Sequence, residues 1–179
     1  GILNTTELTQ MTDIREFAIH ADGSLVVTVD VYSQVRCFRA DTGGQLWSHT
    51  VSSTPDPYPQ EHYNLLMGPE TVFCFCQGRM EACSLQNGSA LWGLNLPDCV
   101  GNYLFYHAEQ NLLVLLEAPE DGLHLLILHA GTGQLLQRIP LPGLPEDSFD
   151  GVGTYRSNAF SLGGAFSPDG SLFAGAFVD

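Results

Sequence analysis

Three stretches of the chain align without gaps at a step of 45 residues. They run from Cys37 to Trp47, from Ala82 to Trp92 and from Ile127 to Gln137. Gly43, Gly88 and Gly133 keep that step, as do Leu46, Leu91 and Leu136. A fixed period of this length means one supersecondary unit used several times over, each copy burying its apolar face on the next. Few arrangements satisfy such a period, so it constrains the fold more than composition does. Within each copy an apolar run meets Thr-Gly or Asn-Gly and a second apolar run follows. Such a pair supplies the positive φ that a tight hairpin turn needs.

A second hairpin precedes each of these turns. In the first unit, Phe17 to His20 leads through Asp22-Gly23 into Leu25 to Val29. Near the end, Gly164 to Phe166 leads through Asp169-Gly170 into Leu172 to Phe177. Met67 to Glu70 and Ala108 to Asn111 are weaker versions of the same signal. No stretch keeps a 3.6-residue apolar period over a helical length. The first unit therefore predicts strands A to D near 16–20, 24–31, 34–40 and 45–51. The second predicts them near 63–67, 71–76, 79–85 and 90–95, and the third near 103–107, 112–117, 123–129 and 134–140. A fourth unit has only A near 162–167 and B near 171–178.

The residues from Phe166 to Ser171, followed by an apolar strand, resemble the first hairpin of WD40 repeats. Thr42-Gly43 with Trp47, and Asn87-Gly88 with Trp92, resemble the TGxxxW docking motif of the PQQ-like (quinoprotein) propellers. The resemblance implies an all-β chain, a β-propeller of four-stranded antiparallel blades. About three and a half blades are present, near 16–51, 63–95, 103–140 and 162–179, within one partial propeller domain over 1–179. The chain departs from both families, for no blade carries the Trp-Asp dipeptide and Gln137 stands where the third docking tryptophan would fall. Propellers have roughly four to eight blades. The expectation is an incomplete ring, either a fragment or one completed by another polypeptide. The alternative is a four-bladed ring closed by residues 1–12.

Charge narrows the partners. Twenty acidic residues face six arginines and no lysine, for a net charge of −14. Neutralising phosphates needs a basic footprint, so direct nucleic-acid binding is not expected. No apolar run approaches the roughly 18 residues of a membrane span. Residues 1–15 lack the charged-then-apolar layout of a signal peptide. Five cysteines without a CxxC pair read as free thiols in a reducing compartment, hence an intracellular protein, cytoplasmic or nuclear.

Strand connections alternate between the two faces of a propeller. The A-to-B and C-to-D links are uniformly short, whereas length accumulates in the D-to-A and B-to-C links, at 52–62, 118–122 and 140–158. Long loops on a rigid frame are where binding tends to reside. These loops hold Asp56, Glu61, Glu120, Asp121, Glu146, Asp147 and Asp150 against Arg156 alone, with Tyr58, Tyr63, Phe149 and Tyr155 among them. An acidic rim with aromatic anchors suits a basic protein partner. The expected function is a non-catalytic interaction scaffold within a larger protein or complex, its partner either basic or supplying the missing blades.

No catalytic chemistry is expected. With Gly78-Arg79 as a type II′ turn, Cys74 stands opposite Cys83 and shares a strand face with Cys76. That set lacks a nearby histidine and zinc-ligand spacing, so buried thiols are expected there and no metal. The enzyme alternative, a fragment of a PQQ-dependent dehydrogenase, would need a quinone cofactor, calcium, a catalytic aspartate and often a vicinal disulfide. No adjacent cysteine pair and no assignable base are present, so no cofactor is expected. Glu146 to Gly151 lacks the carboxylate spacing of a calcium-binding hand. Asn4 and Asn87 match the glycosylation pattern, and Asn87, in a tight turn of the repeat, is expected to be there for its φ instead.

Overall fold

A computed structural model of the chain describes residues 13–51, 63–119, 122–141, 163–167 and 173–176. Every helix or strand among the described residues is a strand. The first sheet is β1 (Ile14–Ile19), β2 (Leu25–Asp30), β3 (Gln34–Arg39) and β4 (Gln45–Thr50). The second is β5 (Tyr63–Met67), β6 (Thr71–Cys76), β7 (Arg79–Ser84) and β8 (Ala90–Asn95). The third is β9 (Cys99–His107), β10 (Leu112–Glu117), β11 (His124–His129) and β12 (Leu135–Pro140). A hairpin of β13 (Gly163–Phe166) and β14 (Phe173–Ala176) follows. Each four-stranded sheet is a meander in chain order. Apart from β9, which begins four residues before its expected start, the strands of these three sheets lie within two residues of the expected spans.

The chain divides into two compact units, 1–102 and 103–179. The first holds the first two sheets. The second holds the third sheet, save the opening residues of β9, and the last hairpin.

The 45-residue step survives in backbone detail. Each sheet carries an irregularity between its third and fourth strands, at Cys37/Phe38, Ala82/Cys83 and Ile127/Leu128. Each turn that follows closes in the same way. Gly43, Gly88 and Gly133 donate to the carbonyls of Arg39, Ser84 and His129, all at 2.8 Å. Those glycines alone take the positive φ, between 70° and 73°. The glycine of each pair supplies the expected positive φ, while Thr42, Asn87 and Thr132 do not share it, so Asn87 is not there for its own φ. Their side chains instead accept the N–H two residues on, from Gly44, Ser89 and Gln134. Short polar side chains do this readily, which is why Thr or Asn precedes the glycine.

The β6–β7 turn also differs from expectation. Its central residues are Gln77 and Gly78, both at positive φ (49° and 77°), a type I′ turn. Cys74 therefore pairs with Glu81, and Cys83 with Val72. The correction moves each partner by two residues, so Cys74 and Cys83 keep a common face as diagonal neighbours.

The core of the first unit forms where the first two sheets meet. One face contributes Val27, Val29, Val35, Cys37 and Trp47, the other Tyr63, Leu65, Val72, Cys74, Cys76 and Leu85. These residues alternate along their strands, as a half-buried sheet requires. Removing each large apolar side chain from water contributes about 1.5–3 kcal/mol.

Candidate functional site

Of the expected rim residues, Tyr63 alone is described. It opens β5 and is 6% exposed. Its hydroxyl donates to the Val31 carbonyl at 2.9 Å and accepts from Gln77 Nε2 at 2.9 Å. Burial, and then the nearby Cys76 thiol, raise its phenol above the usual range. The ring is part of the core, and its polar tip ties the β2–β3 turn to the second sheet. Its alternation with Leu65 and Met67 is the signal that places it there. Asp56, Tyr58, Glu61, Glu120, Asp121, Glu146, Asp147, Phe149, Asp150 and Tyr155 lie outside the described residues. So do residues 1–12, the 146–151 loop and the Asn4 pattern.

The chemistry-bearing residues that the fold does bring together lie between β4 and the β6–β7 hairpin. Trp47 and His49 alternate along β4, so both face the second sheet. Trp47 Nε1 donates to the Leu85 carbonyl at 2.8 Å, and its indole lies over Gly88. A tryptophan from one blade thus docks on the turn of the next, as the TGxxxW resemblance implies. His49 Nε2 lies 2.8 Å from Glu81 Oε2. Arg79 Nε donates to Glu81 Oε1 at 2.6 Å, and Arg79 Nη1 to Asn95 Oδ1 at 2.7 Å. Gly93 stands opposite Glu81, where a Cβ would fall 2.6 Å from Arg79 Nη2. The missing side chain admits the guanidinium.

Glu81 is only 5% exposed, and its charge is tolerated because both oxygens have partners. The Cys83 thiol joins this group: His49, Glu81 and Cys83 offer donor atoms that all lie within 4.8 Å of one another. The diagonal neighbour Cys83, together with burial, holds the Cys74 thiol well above the usual range. Burial pushes Cys76 up to about 12 and Cys37 up to about 11. These thiols are protonated near neutral pH and poor nucleophiles. All five cysteines are buried, and none forms a disulfide.

The histidine thought absent from the cysteine cluster is supplied by tertiary structure, from 32 residues upstream of Glu81. A sequence signal for it exists. The docking-motif resemblance implies a tryptophan packed on a neighbouring blade, and His49, two residues on from Trp47, shares its face.

No family model matches the chain. No curated protein matches it in sequence. Solved structures do match in fold. The computationally designed protein Ika4 is similar over 95% of this chain and 94% of its own, at TM-score 0.58 and 17% identity. BamB from Moraxella catarrhalis is similar over 73% of this chain and 38% of its own, at TM-score 0.56 and 16% identity. The WD40 domain of Pan2 from Neurospora crassa is similar over 73% and 39%, at TM-score 0.56 and 9% identity. The chain thus spans under two fifths of the length of these last two, both β-propellers. At such identities the likeness establishes fold alone. The chain has the β-propeller fold, with three four-stranded blades and a further hairpin described.

Proposed function

We propose that the chain is a non-catalytic propeller scaffold that binds a basic protein segment through the loops joining D to A and B to C. The observation that carries this reading is charge. A chain with no lysine gathers Asp56, Glu61, Glu120, Asp121, Glu146, Asp147 and Asp150 in those loops against Arg156. Such a surface steers and selects cationic partners. Tyr58, Phe149 and Tyr155 supply anchors of the type that dominates interface energies. Tyr63 takes a different part, holding the end of the first loop to the core. A partner that contributes further blades is the other form of the same scaffold role. Five free thiols favour a reducing, intracellular setting.

The test is titration of an arginine-rich peptide into the full chain at two salt concentrations. Binding is expected to weaken with salt, and Glu120→Lys with Asp121→Lys to weaken it about tenfold, or 1.4 kcal/mol. The melting temperature should stay unchanged, because loop-surface substitutions act weakly on stability. Equal affinity before and after reversal would remove the reading.

A further inference from the structure

We propose that His49 Nε2, Glu81 Oε2, Cys83 Sγ and Cys74 Sγ form a tetrahedral zinc site that staples the first blade to the second. His49 comes from β4, and the other three from the β6–β7 hairpin across the blade interface.

The donor set is one nitrogen, one oxygen and two sulfurs, which selects a borderline or soft cation over calcium or magnesium. Zinc bonds of about 2.0–2.3 Å place tetrahedral donors roughly 3.3–3.8 Å apart. Three of these donors already lie within 4.8 Å of one another. The fourth, Cys74, lies outside that group of three but on the same sheet face, directly across from Glu81 and diagonal to Cys83. Forming the site means parting the 2.8 Å His49–Glu81 contact by a fraction of an ångström and drawing the thiols inward.

Charge balance supports the same assignment. Without metal, Glu81 and Arg79 cancel. Zinc entry converts two thiols to thiolates and releases two protons, Zn²⁺ + 2 RSH → Zn(SR)₂ + 2 H⁺. With Glu81 and Arg79 unchanged, the cluster is again neutral. A buried group of residues that is neutral in both states avoids the cost of an unpaired interior charge. Arg79 is placed as an outer partner, for it bonds the Glu81 oxygen that the metal does not use. Asn95 and the space at Gly93 hold it in position. Ligating carboxylates are commonly oriented in this way. His49 is 22% exposed, which opens a route from solvent to an otherwise buried cluster. Cys76, two residues beyond Cys74, is paired across the sheet with Tyr63 and Arg79 and stays outside the set.

The test uses the full chain, stripped with a chelator and titrated with cobalt(II), then zinc. One equivalent of cobalt should give the visible absorption of a tetrahedral site and a thiolate charge-transfer band, both abolished by zinc. Cys83→Ser and Cys74→Ser should each remove about half of the charge-transfer intensity, which follows thiolate number. Arg79→Gln should weaken zinc by about 10–100-fold, as loss of an outer partner does. Cys99→Ser should change nothing. X-ray absorption of the zinc-loaded wild-type chain needs no variant, and should show two sulfurs near ~2.3 Å and two lighter atoms near ~2.0–2.1 Å. A zinc shell without sulfur, or a cobalt spectrum indifferent to Cys83→Ser, would overturn the assignment.

Discussion

At Gly88 two demands coincide on one residue. Its φ of +73° favours glycine, and a Cβ there would fall 2.6 and 2.8 Å from atoms of the Trp47 ring. Gly23 has almost the same φ, +71°, but open space around it. The pair therefore separates backbone strain from close packing. Gly23→Ala is expected to cost about 1–2 kcal/mol, the left-handed penalty alone. Gly88→Ala should cost ~2–5 kcal/mol, because overpacking adds to that penalty. Chemical denaturation measures both. In a Trp47→Ala background the cost of Gly88→Ala should fall to that of Gly23→Ala, since the obstructing ring is gone. Equal costs in the unaltered chain would mean that the tryptophan moves aside freely. The glycine and the tryptophan are both legible as repeated letters, but their mutual contact is not. It joins residues about 40 apart and needs two blades to be stacked.

The β1–β2 hairpin shows how a turn signal becomes a pH-dependent element. Asp22 Oδ1 accepts the Ser24 N–H at 2.8 Å and lies 2.7 Å from His20 Nδ1. The Ser24 hydrogen bonds, with His20, hold the Asp22 carboxyl well below its usual 3.8. Asp22 in turn raises His20 above 6.5, against a small loss from burial. The Asp22 contribution is present above 3.8 and lost as pH falls through its lowered value. The His20 contribution is complete below 6.5 and lost as pH rises through its raised value. The hairpin is thus best held between about pH 3.8 and 6.5. In Asp22→Asn, the His20 midpoint followed by NMR should drop back toward 6.5. An unmoved midpoint would assign the shift to something other than Asp22. The Asp-Gly pair announced this hairpin in the sequence. The turn between β6 and β7 lies one residue before the expected Gly78-Arg79, and Gln77 is an unusual first residue for a type I′ turn. The β2–β3 turn rests on Asp30, which accepts the Tyr32 and Gln34 amides and pairs with Arg36 at 2.8 Å. Nothing local in the sequence marks that aspartate, since its job depends on where three later residues come to lie.

At the scale of the molecule, the described blades repeat one four-stranded unit. The described residues expose apolar surface. Phe17 and Ile19 share one face of β1 and are 59% and 58% exposed. Neighbouring exposed apolar groups of this kind promote association. Replacing both with serine is expected to reduce hydrophobic-dye binding and self-association in light scattering, with little change in melting temperature. Dye binding as strong as before would place the sticky surface elsewhere.

The 45-residue period determined by itself that the chain is all-β, where its strands lie and which turns repeat. Those properties follow from local alternation and from turn residues, both readable within a few positions. Tertiary structure decided what the period leaves open. It moved Tyr63 from rim to core, set Cys74 across from Glu81, and brought His49 to Glu81 and Cys83. Contacts across a blade interface depend on the stacking of two sheets and on the exact register of each strand. Neither is encoded in any one segment, so the group of residues with the richest chemistry appears only once the blades are packed.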